Sequence, residues 1–220
     1  MKTGLFVVFE GGDGVGKTTQ LERLAEAMRS AGREVVVTRE PGGTQLGLHL
    51  RQLIMHGDHV APRAEALLYA ADRAHHVESV VKPALARGAV VLQDRFIDSS
   101  IVYQGGARGL GNEVERISRW ATDGLLPDLT VVLDMAPDTS RMDRHLDRVE
   151  RETVEHAEQI RQGFLFLAQR DPRRYAVIDA ARPVGEVFHD VFAAARAALR
   201  RKREIISGAG TPIPPSPVTP

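Results

Sequence analysis

The sequence predicts a three-layer α/β domain built around a parallel β-sheet. Short apolar or β-branched runs alternate along the chain with helical stretches, a rhythm typical of parallel α/β folds. A glycine-rich segment joins the first of these runs directly to the first helix. The chain has 220 residues, 43% of them hydrophobic, which is enough for one substantial core but short for two domains. We therefore expect one domain over residues 1–206.

Five runs are predicted to form the strands, because they are rich in β-branched or other apolar side chains. Each is separated from the next by at least one helical stretch. They are Leu5–Phe9, Glu34–Thr38, Ala89–Leu92, Leu129–Leu133 and Ala176–Ile178.

Three helices can be predicted from apolar periodicity. In the first, which Gly32 stops, one face carries Leu21, Leu24, Ala25 and Met28. The second begins near Pro62 and is bent or ended by Pro83. The last runs from Pro183 to Arg203 and ends in four basic side chains, which either complement the helix C-terminus or form an anion site.

Residues 207–220 are predicted to form a disordered tail. They are mostly small residues and prolines, which cannot bury a core. Their PxxP spacings leave binding to a partner groove as an alternative.

Composition excludes several classes of protein. The 29 basic and 29 acidic side chains cancel, so no overall field favours nucleic acid or an anionic membrane. The chain has no cysteine, which excludes disulfides and thiolate metal sites and fits a reducing compartment. No apolar run approaches the ~20 residues of a membrane span, and the first run stops at Glu10. We expect a soluble, cytoplasmic protein without nucleic-acid or membrane partners.

The strongest motif follows the first predicted strand and fits the phosphate-loop pattern G-x-x-x-x-G-K-[ST]. Its glycines let backbone N–H groups and the helix N-terminus point at a triphosphate, while Lys17 reaches the terminal phosphates. Thr18 would supply a hydroxyl to Mg²⁺. A purely structural glycine turn is the alternative. The predicted nucleotide-binding residues are Gly11, Gly12, Asp13, Gly14, Val15, Gly16, Lys17, Thr18 and Thr19.

A phosphate loop leaves the reaction open, because switch GTPases and motor ATPases use the same loop. The sequence contains no N-K-x-D guanine-binding motif, and its only D-x-x-G lies inside the loop, at Asp13–Gly16. These observations argue against a GTPase switch.

Further motifs occur along the rest of the chain. Residues 94–106 read DRFIDSSIVYQGG, residues 39–44 read REPGGT, and residues 65–76 read EALLYAADRAHH. LPD at 126–128, DRVE at 147–150 and VIDA at 177–180 continue the series. Together they resemble the motifs of thymidylate kinases over about residues 5–195, with Val102 where that family usually has Ala.

The resemblance implies a five-stranded sheet of order 2-3-1-4-5 and transfer of a phosphoryl group from MgATP to thymidine monophosphate (dTMP). It also implies a homodimer, since family members are commonly dimers. Two alternatives stay open: a kinase for another nucleoside or nucleoside monophosphate, and a phosphate-loop ATPase or GTPase that acts as a binding switch.

The resemblance also assigns roles around the base and sugar. Tyr69 would stack on thymine, although an aromatic at this spacing more often packs in a core. Arg73, one turn later on the same face, would donate to a base carbonyl. Ser100 and Gln104 would contact the remaining base edge, and Tyr103 would crowd a ribose 2′-hydroxyl.

Other roles concern the phosphates. Arg39 and Arg95 would hold the acceptor phosphate, because a guanidinium matches its oxygens. Asp13 would orient either the Lys17 and Mg²⁺ region or the sugar 3′-hydroxyl, and Asp94 would hold Mg²⁺ through water.

Glu40 is a candidate for sugar binding, with a structural hydrogen bond as the alternative. The resemblance predicts that its bond to Pro41 is cis. The histidines predict no metal site. His56 and His59 fall in an expected loop and His75 and His76 on a helix, and no predicted carboxylate or thiolate ligand accompanies them.

Gly14 leaves the phosphate loop without an arginine, which some thymidylate kinases carry at this position. The resemblance then predicts that a lid over about residues 139–151 supplies the charge. Arg144 is the first candidate for catalysis, Arg148 the second and Arg141 the third. The segment is about four residues shorter than the family's lid, and a solvated charged turn is the alternative.

Overall fold

The computed structural model describes residues 4–57, 59–137 and 156–208. Five strands form one all-parallel sheet in the order β2-β3-β1-β4-β5. The predicted strands and their order are confirmed. The strands are β1 (Leu5–Glu10), β2 (Val35–Arg39), β3 (Val90–Asp94), β4 (Leu129–Asp134) and β5 (Tyr175–Asp179).

Helices connect the strands and cover both faces of the sheet. In the described ranges they are α1 (Lys17–Ser30), α2 (Gln45–His56), α3 (Pro62–His76), α4 (Lys82–Ala86), α5 (Ile97–Ser100), α6 (Glu113–Ala121), α7 (Ala157–Arg170) and α8 (Val184–Ile206). A π-helical segment, Val77–Val81, joins α3 to α4, and another, Ile101–Ala107, follows α5.

The core lies on both sides of the central strand β1, all of whose residues are buried. Leu5, Val7 and Phe9 pack with α1 and α8 on one face. Phe6 and Val8 pack on the other face with the segment from Val77 to Ala84. Burial on both faces explains why this strand is an unbroken apolar run.

At Pro83 one of the two expected outcomes is excluded, and for His56 the expectation is wrong. Pro83 does not stop the helical path, because it lies in the first turn of α4, where a proline needs no hydrogen-bonding N–H. His56 lies at the end of α2 rather than in a loop. That helix begins after Thr44, whose side-chain oxygen accepts a hydrogen bond from the N–H of Gly47 at 2.9 Å.

Several predictions fall outside the described residues. These are the lid with Arg141, Arg144 and Arg148, and the tail from residue 209 onward. In the ranges that are described, every helix is too short or too polar to cross a membrane.

Candidate active site

A cleft of about 440 Å³ opens where the carboxyl ends of β1, β2 and β3 meet. This is the edge of an open α/β sheet at which ligands bind. The phosphate loop follows β1, Arg39 ends β2, and Asp94 and Arg95 lie at the end of β3. Of the predicted site residues, the cleft brings together Asp13, Gly14, Gly16, Lys17, Thr18, Thr19, Arg39, Glu40, Tyr69, Arg73, Asp94, Arg95, Ser100, Tyr103 and Gln104.

Three predicted loop residues lie apart from this cleft. Gly11, Gly12 and Val15 line a smaller cavity on the other side of the loop, where Arg161 pairs with Asp134 through two hydrogen bonds of 2.6 and 3.0 Å.

The phosphate loop has the backbone that its glycines predict. Gly16 precedes α1 with φ 93°, a left-handed conformation that needs glycine. A Cβ on Gly11 would lie 2.5 Å from the carbonyl oxygen of Leu133, so the loop sits directly against β4. The Nζ of Lys17 donates to the carbonyl oxygens of Gly12 at 2.6 Å and Gly11 at 3.2 Å. The loop therefore holds its lysine at the N-terminus of α1, next to a ready anion site.

Two charged groups of the loop have shifted pKa values. Burial, followed by repulsion from Arg95, lowers the pKa of Lys17 to about 8. Burial alone would raise the pKa of Asp13, but the charges of Arg95 and Lys17 outweigh it and lower that pKa. Asp13 is therefore a fixed negative charge between two cations.

Arg95 lies against the phosphate loop in an uncommon backbone conformation, with φ 63°. Its carbonyl oxygen accepts a hydrogen bond from Gln93 Nε2 at 3.0 Å. Its guanidinium pairs with Asp13, donates to Ser99 Oγ at 3.1 Å, and lies 5.3 Å from the centre of the Tyr103 ring. Such backbone outliers cluster at functional sites, where the surrounding structure holds them.

Arg73 is 2% exposed and forms a buried hydrogen-bonded cluster. Its Nε donates to Glu40 Oε2 at 2.8 Å and its Nη1 to Ser118 Oγ at 3.0 Å. Its Nη2 donates to the carbonyl oxygen of Phe96 and to Ser100 Oγ, both at 3.0 Å. These bonds use four of the five N–H groups of a guanidinium and leave one on Nη1 for a ligand in the cleft.

Glu40 connects Arg73 to a buried histidine. Its Oε1 lies 2.9 Å from Nδ1 of His76, whose Nε2 lies 2.6 Å from Thr38 Oγ1. A carboxylate oxygen only accepts, so the Nδ1 of His76 carries the proton. These contacts favour the structural role that the sequence left open for Glu40. The Glu40–Pro41 bond is cis, as predicted.

The base-contact candidates approach the cleft from two elements. Tyr69 is half-buried on α3, one turn before Arg73. Gln104, which is buried, donates through Nε2 to Glu65 Oε1 at 3.1 Å. Its Oε1 is then the atom that can accept from a ligand.

A magnesium ion fits the residues predicted for it. Oδ1 of Asp94 is buried and has no hydrogen-bond partner among the described residues. Thr18 lines the same cleft with an exposed side chain. Hydroxyl and carboxylate oxygens are the ligands that Mg²⁺ prefers. The described ranges hold no cluster of three or more His, Asp or Glu residues suited to a metal.

The sequence missed several residues of the cleft. Arg51 and Met55 come from α2, which was not predicted, and Arg51 donates to the carbonyl oxygen of Pro41 at 3.3 Å. Ser99 and Phe96 lie within the recognised motif of residues 94–106, but functional roles there were predicted for other residues, among them Arg95 and Ser100.

Comparison with known proteins gives a consistent result. Residues 9–191 match the family model described as thymidylate kinase. A protein named thymidylate kinase from Clavibacter michiganensis subsp. michiganensis (strain NCPPB 382) is 52% identical over 94% of this chain and 98% of its own length. Proteins of that name from Clavibacter sepedonicus and Pelotomaculum thermopropionicum (strain DSM 13744 / JCM 10971 / SI) are 56% and 50% identical, over 82% and 89% of this chain and 89% and 94% of their own lengths.

Proposed function

The chain belongs to the thymidylate kinase family, and from this membership and its cleft we infer that it phosphorylates thymidine 5′-monophosphate to the diphosphate, a step of dTTP synthesis. The observation that carries this function is the joint placement of a phosphate loop and the buried pair Arg73 and Gln104 in one cleft. The first suits a triphosphate donor, and the second suits the edge of a pyrimidine.

We propose ATP as the donor, bound by the phosphate loop. Backbone N–H groups of the loop and Lys17 would bind its phosphates at the start of α1. Thr18 directly, and Asp94 through water, would hold Mg²⁺, which when bound neutralises charge on the phosphates. Arg95 and Arg39 would hold the acceptor phosphate, with Asp13 orienting Lys17. Since that phosphate is already nucleophilic, these residues act mainly by positioning and charge neutralisation.

Hydrogen bonding supports thymine as the acceptor base. Oε1 of Gln104 can accept from N3–H, and the remaining N–H of Arg73 can donate to O4. Cytosine reverses both positions, because its N3 accepts and its amino group donates, so each contact becomes repulsive. We propose that Tyr69 stacks on the ring, that Ser100 completes the base edge, and that Tyr103 crowds a 2′-hydroxyl.

A coupled assay of ADP release across a panel of monophosphates tests this function. We expect dTMP to give the largest kcat/KM and the cytidine and guanosine monophosphates much lower values. A higher kcat/KM for another monophosphate would make the enzyme a kinase for that acceptor. Stoichiometric free phosphate without any acceptor would point to an ATPase instead.

We also propose that the arginines at 144 and 148 act on the transferring phosphoryl group, because Gly14 offers no side chain there. An arginine in this role contributes ~10³ to 10⁵ in rate. Arg144→Ala should then lower kcat at least about a hundredfold, with little change in either KM. Parent-like kcat in single alanine variants of Arg141, Arg144 and Arg148 would exclude the lid role.

A homodimer is proposed through α2 and α3. Leu53 and Leu67 are each 56% exposed, and Leu46 and Leu48 on α2 are also exposed. Exposed apolar side chains grouped on adjacent helices are typical of a subunit interface. Sedimentation equilibrium should give a dimer for the parent and a monomer for Leu53→Arg with Leu67→Arg. A monomeric parent would exclude the assembly.

A further inference from the structure

Glu10 is a charged residue at the end of the otherwise apolar strand β1, and the roles above do not use it. It is completely buried. Its Oε1 accepts from the backbone N–H of Phe96 at 2.8 Å and of Ser99 at 3.2 Å. Its Oε2 accepts from the hydroxyl of Ser99 at 2.6 Å. One carboxylate thus holds the turn between β3 and α5 by three hydrogen bonds.

Ser99 connects this carboxylate to Arg95. A serine hydroxyl has one hydrogen, and here it points at Glu10. The oxygen must then present its lone pairs elsewhere, and Nη1 of Arg95 donates to it at 3.1 Å. Glu10 therefore fixes the direction of the serine hydroxyl, and the hydroxyl fixes one side of the guanidinium. Asp13 holds the other side.

We propose that Glu10 is a positioning residue that acts through Ser99 to aim Arg95 at the acceptor phosphate. The inference rests on the proposed role of Arg95. A guanidinium must be held in one orientation to bind phosphate through two parallel hydrogen bonds, and a 1 Å misplacement can cost about 10²-fold in rate.

The cost of burying Glu10 is consistent with this role. Burial, and after it the charge of Asp98, raises the pKa of Glu10 to about 7. Arg95 and the hydrogen bonds from Ser99 and Phe96 oppose that rise. Lys17 and Asp13 also face the region, and Tyr175 donates to Asp98. One amide oxygen could accept from the two backbone N–H groups, whereas accepting from the hydroxyl as well uses the second oxygen of a carboxylate.

The experiment compares the dissociation constants of dTMP and thymidine by calorimetry at about pH 8, where Glu10 is mainly ionised. The ratio of the dissociation constant of thymidine to that of dTMP isolates the contribution of the acceptor phosphate. In Glu10→Gln the amide nitrogen would replace Oε2, so that two donors face the hydroxyl and its hydrogen loses its acceptor. We expect the ratio to fall about tenfold, the size of one hydrogen bond to a charged group. The affinity for thymidine should stay within about twofold.

Ser99→Ala should lower the ratio by a similar factor, and the double variant should do no worse than either single change, because both cut the same chain of contacts. Glu115→Gln is the matched control. That carboxylate is also buried, but it pairs with Arg119 and Arg170 away from the cleft, so the ratio should not change.

Two results would overturn the inference: an unchanged ratio in Glu10→Gln, or a double variant whose loss is the product of the two single losses. If Arg95→Ala itself leaves the ratio unchanged, the result instead rejects the proposal that Arg95 binds the acceptor phosphate. Should Glu10→Gln not fold, Ser99→Ala and Ser99→Thr decide. The first should lose the phosphate contribution and the second, which keeps the hydroxyl, should retain it, so equal ratios would reject the proposal.

Discussion

The guanidinium of Arg73 lies in the core side of the cleft, between Glu40 on the loop after β2 and Ser118 on α6. Side chains so deeply buried are charged only when they are paired and hydrogen-bonded. Arg73 therefore contributes to folding as well as to the base contact proposed for it. A substitution there changes both properties, and the two effects have to be measured separately.

Arg73→Ala should lower the free energy of unfolding by about 3–5 kcal/mol, since it leaves the carboxylate of Glu40 buried without its cation. It should also raise the acceptor KM and leave the KM for ATP nearly unchanged. Urea unfolding and steady-state kinetics measure the two effects. Arg116→Ala, which breaks an exposed pair with Glu113, should cost less than about 1 kcal/mol. Equal changes in both KM values would reject a base-binding role for Arg73.

The depressed pKa of Lys17, about 8, makes triphosphate binding depend on pH. Above that pH the free protein loses the charge on Lys17, whereas bound phosphates favour its protonated form. ATP affinity should therefore fall as pH rises through about 8, and binding near that pH should take up a proton. Calorimetry in buffers of different ionisation enthalpy measures this uptake. In Lys17→Met the uptake should vanish, and uptake that persists would assign it to another group.

At the scale of elements, the loop after β2 packs closely against α3. A Cβ on Gly43 would come within 2.6 Å of His76 Nε2 and 2.7 Å of Thr38 Oγ1. Any side chain at this position would push into the hydrogen bond between those two groups. The absence of a side chain at Gly43 thus allows β2 and α3 to share the buried network around Glu40.

Gly43→Ala should destabilise the protein by about 1–3 kcal/mol, because the added methyl overpacks a buried contact. Gly185→Ala is the control, since a Cβ there meets nothing within 4 Å and the residue lies in the first turn of α8. That substitution should be neutral or stabilise by up to about 1 kcal/mol. Thermal unfolding of the two variants compares them directly. Equal melting temperatures would mean that the loop relaxes without cost.

The sequence predicted elements best where local chemistry decides them. The phosphate loop and the five strands follow from glycine spacing and apolar runs, which need no knowledge of partners. Helix α2 was missed because its apolar residues are mostly exposed, with only Gly47 and Ile54 buried, so its periodicity is weak. Arg51 was missed with it.

Contacts between distant segments could not be predicted. Glu10 meets Ser99 across 89 positions of sequence, and in the sequence it marks only the end of an apolar run. In the sequence, His76 looks like any polar residue on a helix. Its partners, Glu40 and Thr38, lie on an earlier loop and strand, and only the folded structure brings them next to it. Pairing of this kind depends on topology, which the residues alone did not supply.

At the scale of the whole molecule, one cleft holds most of the residues proposed to bind the two substrates, so each ligand should stabilise the entire fold. At a concentration of 100 times its dissociation constant, a ligand adds about 2.7 kcal/mol to the free energy of unfolding. For a chain of 220 residues this corresponds to a rise in Tm of about 5–10 °C. Differential scanning fluorimetry with dTMP should show the rise in the parent and in Lys17→Met. ATP should raise the Tm of Lys17→Met by less than it raises that of the parent. Loss of both shifts in Lys17→Met would indicate a damaged fold.

The strand order also fixes when the site can form during synthesis. Strand β1 is made first, but it pairs with β3 and β4, and β2 pairs with β3 alone. Neither of the first two strands has a partner until β3 leaves the ribosome. All the proposed acceptor residues have been made once the chain reaches Gln104, whereas β4 begins only at Leu129. In that interval β1, the most apolar strand of the protein, has one edge without a neighbouring strand. The nascent chain is therefore most prone to aggregation at the stage when all the proposed acceptor residues have been made.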